Sequence, residues 1–307
     1  MAQAAVSARV RRSERTPFGA CPLSSLRALV MPTVFFPVEV AKSDNNSITE
    51  FFGNVVGRDP KISAAHVRIT APGSEAWQTP EFDEWALVVE GEVRLLHAAG
   101  TTTVPAGSGV HLKAGFRVKW IFPGPCEYVP ICMPAFSPGN VHREEHREEG
   151  AEVPPAAPAA NAAPAEPVIT TPVHVVDTEA LRITEFFGNV ASKDSRLSAC
   201  MATVTAECAE AYQAPEFAEY VLVLSGEVHM HHEAGTTVAR APSSVYLAAG
   251  ERVKWQWPGP CTYVPICLPA FSPHNCHREA EAGAVKDEEA MDRLRALHTD
   301  TSTVKGP

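Results

Sequence analysis

The chain has no Cys-x-x-Cys pair, no long apolar run and no excess of positive charge. Each absence excludes something. With 307 residues the chain is long enough to bury a core without disulfide staples, so its eight cysteines read as reduced thiols of an intracellular protein, in the cytoplasm or in an organelle. Apolar stretches such as Ala86 to Val89 and Tyr220 to Leu224 stop at charged or small polar residues, far short of the roughly 20 that a membrane-spanning helix needs. The 26 Lys and Arg against 36 Asp and Glu leave a net charge of −10, which argues against nucleic acid and against an anionic membrane surface as partners.

What is present is a repeat. The segment ITEFFGNV at Ile48 to Val55 recurs letter for letter at Ile183 to Val190, and the offset of 135 residues continues without a gap. It pairs Gln78 with Gln213, Glu84 with Glu219, Trp120 with Trp255, Tyr128 with Tyr263 and His142 with His277. About 58 of the 98 positions from Ile48 to Glu145 are identical. Two homologous units follow, at 34–145 and 169–280. Within each, short β-rich runs alternate with Gly and Pro turns: Ala86 to Val89, Glu92 to His97, Val110 to Lys113, Arg117 to Phe122 and Tyr128 to Cys132 in the first. Strands this closely spaced predict an all-β architecture of two antiparallel barrels or sandwiches.

Three segments fall outside the repeat. Residues 1–33 form a leader with five arginines and a single acid, a composition that suits an organellar transit peptide or a basic tail. Residues 146–168 are rich in Pro and Ala and read as a linker. In the tail at 281–307, Val285, Ala290, Met291, Leu294 and Leu297 recur at helical spacing among charges. The spacing predicts a short C-terminal helix whose stripe packs on the second barrel or on a partner subunit, which leaves a homo-oligomer open.

The strand and turn pattern EFDEWALVVEGEVRLLHAAGTT followed by VPAGSGVHLKAGFRVKWIFPGPCEYVPICMPAF resembles the cupin superfamily, and the duplication resembles a bicupin. Glu84 to Gly91 and Glu219 to Gly226 carry the Glu-x6-Gly element of the first cupin motif. Gly107 to Gly115 carries the frame of the second, in which Pro242 replaces the first glycine of the second copy. AGFRVKW is similar to the ethanolamine-utilisation and ureidoglycine aminohydrolase-like cupins. The resemblance implies two tandem jelly-roll β-barrels. It also implies where a metal triad would sit, at Gln78 and Pro80 or Trp77 and Thr79, and at Val118, with Gln213 and Pro215 or Tyr212 and Ala214, and Val253, in the second copy. None of these is histidine. No cofactor is therefore expected: Gln78, Glu81 and Glu84 offer only hard oxygens, better suited to a divalent Mg or Ca than to a transition metal.

What remains at each barrel mouth is polar and aromatic. Gln78, Glu81 and Trp120, with Gln213, Glu216 and Trp255, are the candidate ligand-binding residues. Glu84 and Glu219 are candidate acid/base groups, because a carboxyl among Val118, Trp120 and Phe122 would be desolvated and raised toward neutrality. Tyr128 and Tyr263 could donate a proton. Cys132 and Cys267 share their strand face, though a small buried Cys is more often packing. His142 and His277, each followed by Arg, could fold back over the mouth. His229 and His231 lie on the face opposite His232, a poor metal site. The leading expectation is a protein that binds a small polar metabolite. The alternative is a metal-independent isomerase, lyase or hydrolase, and a paired-barrel assembly platform comes third.

Overall fold

A computed structural model describes residues 31–144, 166–280 and 285–299, without the side chains of 285–289 and 299. The leader up to residue 30, read as a transit peptide, and most of the Pro/Ala linker lie outside the described residues.

Each unit folds as two facing antiparallel sheets. In the first, the larger sheet runs in spatial order Val168–Thr170, Ser108–Leu112, Asp83–Glu90, Cys126–Met133, Ser63–Ile69, Asn46–Phe52 and Val38–Lys42. The smaller runs Gly73–Ser74, Lys119–Phe122, Glu92–His97 and Gly100–Pro105. The second unit repeats this order 135 residues on, from Thr33–Phe35 and Ser243–Leu247 to Val173–Asp177 in the larger sheet. The observed strands match the runs read from sequence to within three residues at either end, longer at Asp83–Glu90 and Cys126–Met133 and shorter at Lys119–Phe122.

Period-two alternation explains why the central strand is apolar on both faces. On Asp83–Glu90, Ala86 and Val88 point inward and join Val118, Trp120, Phe122 and Tyr128 in the barrel core. Trp85 and Leu87 point the other way, into a second core shared with Phe187, Tyr220, Leu222 and Ile266 of the other unit. The barrels therefore pack face to face through their large sheets. At one point the approach is so close that a Cβ on Gly109 would stand 2.6 Å from the Phe187 ring. In the symmetry-related place Ser244 has room, and its hydroxyl donates to the Phe51 carbonyl at 2.8 Å.

The opening strands are exchanged. Thr33–Phe35 precedes the first unit but pairs with Ser243–Leu247 of the second, and Val168–Thr170 precedes the second but pairs with Ser108–Leu112 of the first. The C-terminal helix spans Val285–Thr299 and packs on the second barrel, where Leu294 is buried with Val175 and Val190 and flanked by Met291 and Leu297. Among the described residues no helix is long and apolar enough to cross a membrane.

Candidate functional site

The first barrel opens into a cavity of about 650 Å³. Its floor is the central strand, which turns Glu84 inward, and its wall is Trp120 and Tyr128, stacked with ring centroids 5.5 Å apart. Gln78 reaches the same place from a loop stitched to the small sheet by two backbone bonds with Val118, both 2.9 Å. Gln78, Glu84, Trp120 and Tyr128, which sequence reasoning grouped, thus line one space. Two further charged residues complete it. Glu75 is brought in just after the two-residue strand Gly73–Ser74, and Arg143 follows the turn after Pro138, its Nη2 donating to Glu75 Oε2 at 3.3 Å.

Burial dominates the electrostatics. The Glu84 carboxyl, 8% exposed, makes no hydrogen bond to another described residue and is pushed up to about 8, by desolvation first and by the neighbouring Glu75 charge second, with Arg143 opposing. Glu75 is raised by burial too, and Arg143 again opposes. The Tyr128 hydroxyl and the Cys132 thiol are driven well above their ordinary values by the same burial. Cys132 therefore stays a thiol, a poor nucleophile, in the cavity wall. A neutral Glu84 acid can donate a hydrogen bond or a proton at pH 7, which a surface carboxylate cannot.

Glu81 and Glu216 stand elsewhere. Each follows a proline in the loop, faces solvent and accepts from a histidine: His142 Nε2 lies 2.7 Å from Glu81, and His277 Nε2 2.6 Å from Glu216. His142 touches the cavity rim, whereas His277 does not line the second cavity. Both histidines adopt left-handed backbone, φ 46° and 49°. His229, His231 and His232 are held by Glu227, by Thr236 and Gln256, and by Thr237, so they do not converge.

The second barrel repeats the set with Gln213, Glu219, Trp255, Tyr263, Glu210 and Arg278, and Glu219 is likewise pushed up to about 8, by burial first and then by Glu210. Its cavity is only about 140 Å³. Trp257 takes the place of Phe122, and Ala290, Met291 and Leu294 of the C-terminal helix form part of the lining. The polar groups differ in the same sense. Gln213 Oε1 accepts from the Cys276 thiol at 2.9 Å and from Arg278 at 3.4 Å, and Arg278 also reaches Glu210 at 3.0 Å. In the first barrel Val141 stands where Cys276 does, and Gln78 Oε1 is buried with no partner.

Set against known proteins, the architecture matches solved structures over most of its length. An oxalate decarboxylase from Bacillus subtilis superposes with TM-score 0.58 at 11% identity, covering 77% of each chain. A second structure of that enzyme, described with Mn(II) centres, gives 0.59 at 11% identity over 90% of this chain and 88% of that one. The fold is that of a bicupin. No family model matches the chain. The endoribonuclease YbeY of Myxococcus xanthus is 31% identical over 107 residues, 34% of this chain and 36% of that protein, so the chain spans about a third of the curated relative it matches.

The residues around the first cavity offer oxygen donors and no histidine at the positions where the cupin resemblance implies a metal triad. Val118 is wholly buried in the apolar core beside Trp120, and the donors around the cavity are the oxygens of Glu75, Glu84 and Gln78. Oxygen donors of this kind suit Mg, Ca or Mn, whereas Zn, Cu, Fe or Ni favours imidazole, and the His142 ring at the rim is turned to Glu81. Arg143 already supplies the cation facing Glu75. Among the described residues no three His, Cys, Asp or Glu side chains group to hold a metal.

Proposed function

We propose that the first barrel binds a small polar metabolite that offers a donor to Gln78 Oε1 and an acceptor to the protonated Glu84 carboxyl, with its body against Trp120 and Tyr128. The observation that carries this reading is the contrast between the copies. In the second barrel the matching amide oxygen is satisfied internally and the cavity is small, while in the first the amide oxygen is unpartnered beside about 650 Å³ of space; the buried carboxyl is common to both copies. A buried polar group without a partner costs about 1–3 kcal/mol, and a ligand that completes it regains that. A hydroxy-carbonyl or amide compound of a few heavy atoms has the required pair of groups.

The test is a thermal-shift and calorimetric screen of small hydroxy acids and amides between pH 6 and 9.5. Affinity falls as pH rises through about 8, because the acceptor on the ligand loses its donor when Glu84 ionises. Glu84→Gln keeps a neutral donor, so it retains binding and loses the pH dependence; retention of the pH dependence would count against the reading.

One observation favours a second reading, in which the site turns its ligand over. Two carboxyls, Glu84 and Glu75, are both raised in one cavity, and a group titrating near 8 can take and return a proton at working pH. In that case Glu84→Gln binds but loses turnover, with Tyr128 as a further proton donor. Wild-type protein that binds a screened compound without converting it favours the first reading.

A further inference from the structure

The duplicated barrels use one arginine differently. Arg278, at the second cavity, has its guanidinium engaged within the protein: it donates to Glu210 at 3.0 Å, to Gln213 Oε1 at 3.4 Å and to the Met291 sulfur at 3.6 Å, and its side chain is 20% exposed. Arg143 holds the matching place 135 residues earlier. Among the described residues its guanidinium makes one hydrogen bond, to Glu75 at 3.3 Å, and the side chain is 49% exposed at the mouth of the larger cavity. The groups around it are those of the candidate site. Gln78 and Arg143 are bridged as antiparallel backbone neighbours, and the positive charge lies close enough to Glu84 and Tyr128 to oppose the rise of both. The 3.4 Å contact between their counterparts Arg278 and Gln213 shows how near the guanidinium and the amide oxygen can come.

A planar guanidinium with donors to spare, at the edge of an aromatic cavity, matches a carboxylate in shape and charge. Arg143 is the one arginine or lysine among the residues lining the cavity, and Glu75 already draws on its charge. A doubly charged phosphate would therefore stand uncompensated beside Glu75 and Glu84, which limits the ligand to a single negative charge. We infer that Arg143 anchors the carboxylate of a 2-hydroxy monocarboxylate bound in the first barrel. Resting on the binding reading above, this narrows the ligand group by group. The carboxylate sits on Arg143, the adjacent hydroxyl donates to Gln78 Oε1, and the neutral Glu84 carboxyl donates to the second carboxylate oxygen, with the substituent against Trp120 and Tyr128. The hydroxyl belongs on the carbon next to the carboxylate because Gln78 and Arg143 are backbone neighbours, and a longer spacer would carry the donor past the amide. Arg143 is then the residue that sets specificity, and the second barrel, whose arginine is held by Glu210 and Gln213, offers no such anchor.

Calorimetric titration of the full chain at about pH 6.5 tests this with two matched pairs, lactate with lactamide and mandelate with mandelamide, because each pair differs only in the charge that Arg143 reads. The expected result is an acid that binds about tenfold or more tighter than its amide. In Arg143→Gln the ratio falls to about one, through loss of acid affinity alone. Glu75→Gln combined with Arg143→Gln gives the same ratio and leaves no buried carboxylate without its cation, which separates a lost anchor from a disturbed fold. An amide that binds as tightly as its acid, or an acid preference that survives in both variants, would overturn the assignment and leave the binding reading standing. Failure of the wild type to bind any 2-hydroxy acid or amide would instead overturn that reading, and this one with it.

Discussion

Replacing Glu84 by Gln stabilises the protein at neutral and alkaline pH, and by an amount that depends on pH in a defined direction. In the unfolded chain the carboxyl ionises near 4.5, while in the fold it holds its proton to about 8. Between those values the folded state binds more protons than the unfolded one, so stability falls as pH rises, at about 1.4 kcal/mol per pH unit per group. The full interval corresponds to about 5 kcal/mol, an upper value because water in the cavity solvates part of the charge. Below pH 4.5 both states are protonated and the variant gains little. Glutamine keeps the volume and cannot ionise, so the wild-type and variant stability curves coincide near pH 4.5 and diverge up to about pH 8. Urea titrations at intervals from pH 4.5 to 9 read the divergence, with about 2–5 kcal/mol expected at pH 8. Glu219→Gln behaves alike, since burial is the main cause there too. Parallel curves for wild type and Glu84→Gln across the whole range would refute the reasoning.

Two further substitutions probe the packing. Val141→Cys places a thiol beside Gln78 as Cys276 stands beside Gln213; it satisfies the orphan oxygen, leaves stability within about 1 kcal/mol, and weakens ligand affinity by about fivefold or more in calorimetry. Gly109→Val drives a side chain into Phe187 and costs about 1–3 kcal/mol, read as a lowered urea midpoint, and a loss below about 0.5 kcal/mol would contradict the close packing of the two barrels.

Much of this was legible in the chain itself. The 135-residue repeat and the strand rhythm follow from spacing, and period two sets Val118, Trp120 and Phe122 on one face, while the inward direction of Glu84 rested on the resemblance to cupins. Glu75 and Glu210 escaped notice since they sit beside two-residue strands, too short to carry a pattern. The exchanged strands Thr33–Phe35 and Val168–Thr170 are three residues each, and nothing in three residues says which sheet they join. Glu81 and Glu216 were grouped with the mouth residues in sequence, yet each lies in the loop before the strand and three residues from the inward glutamate, a spacing that period two does not keep on one face. The inequality of the barrels lay in single differences, Val141 against Cys276 and Phe122 against Trp257, whose meaning appears only when their neighbours are known.

The central claim is that the first barrel alone is the open binding site. Calorimetric titration with a compound from the screen measures it most directly, comparing wild type with Gln78→Leu and Gln213→Leu. The account predicts one site per chain, lost in Gln78→Leu and intact in Gln213→Leu. Two sites per chain, or a loss of binding in Gln213→Leu alone, would contradict it.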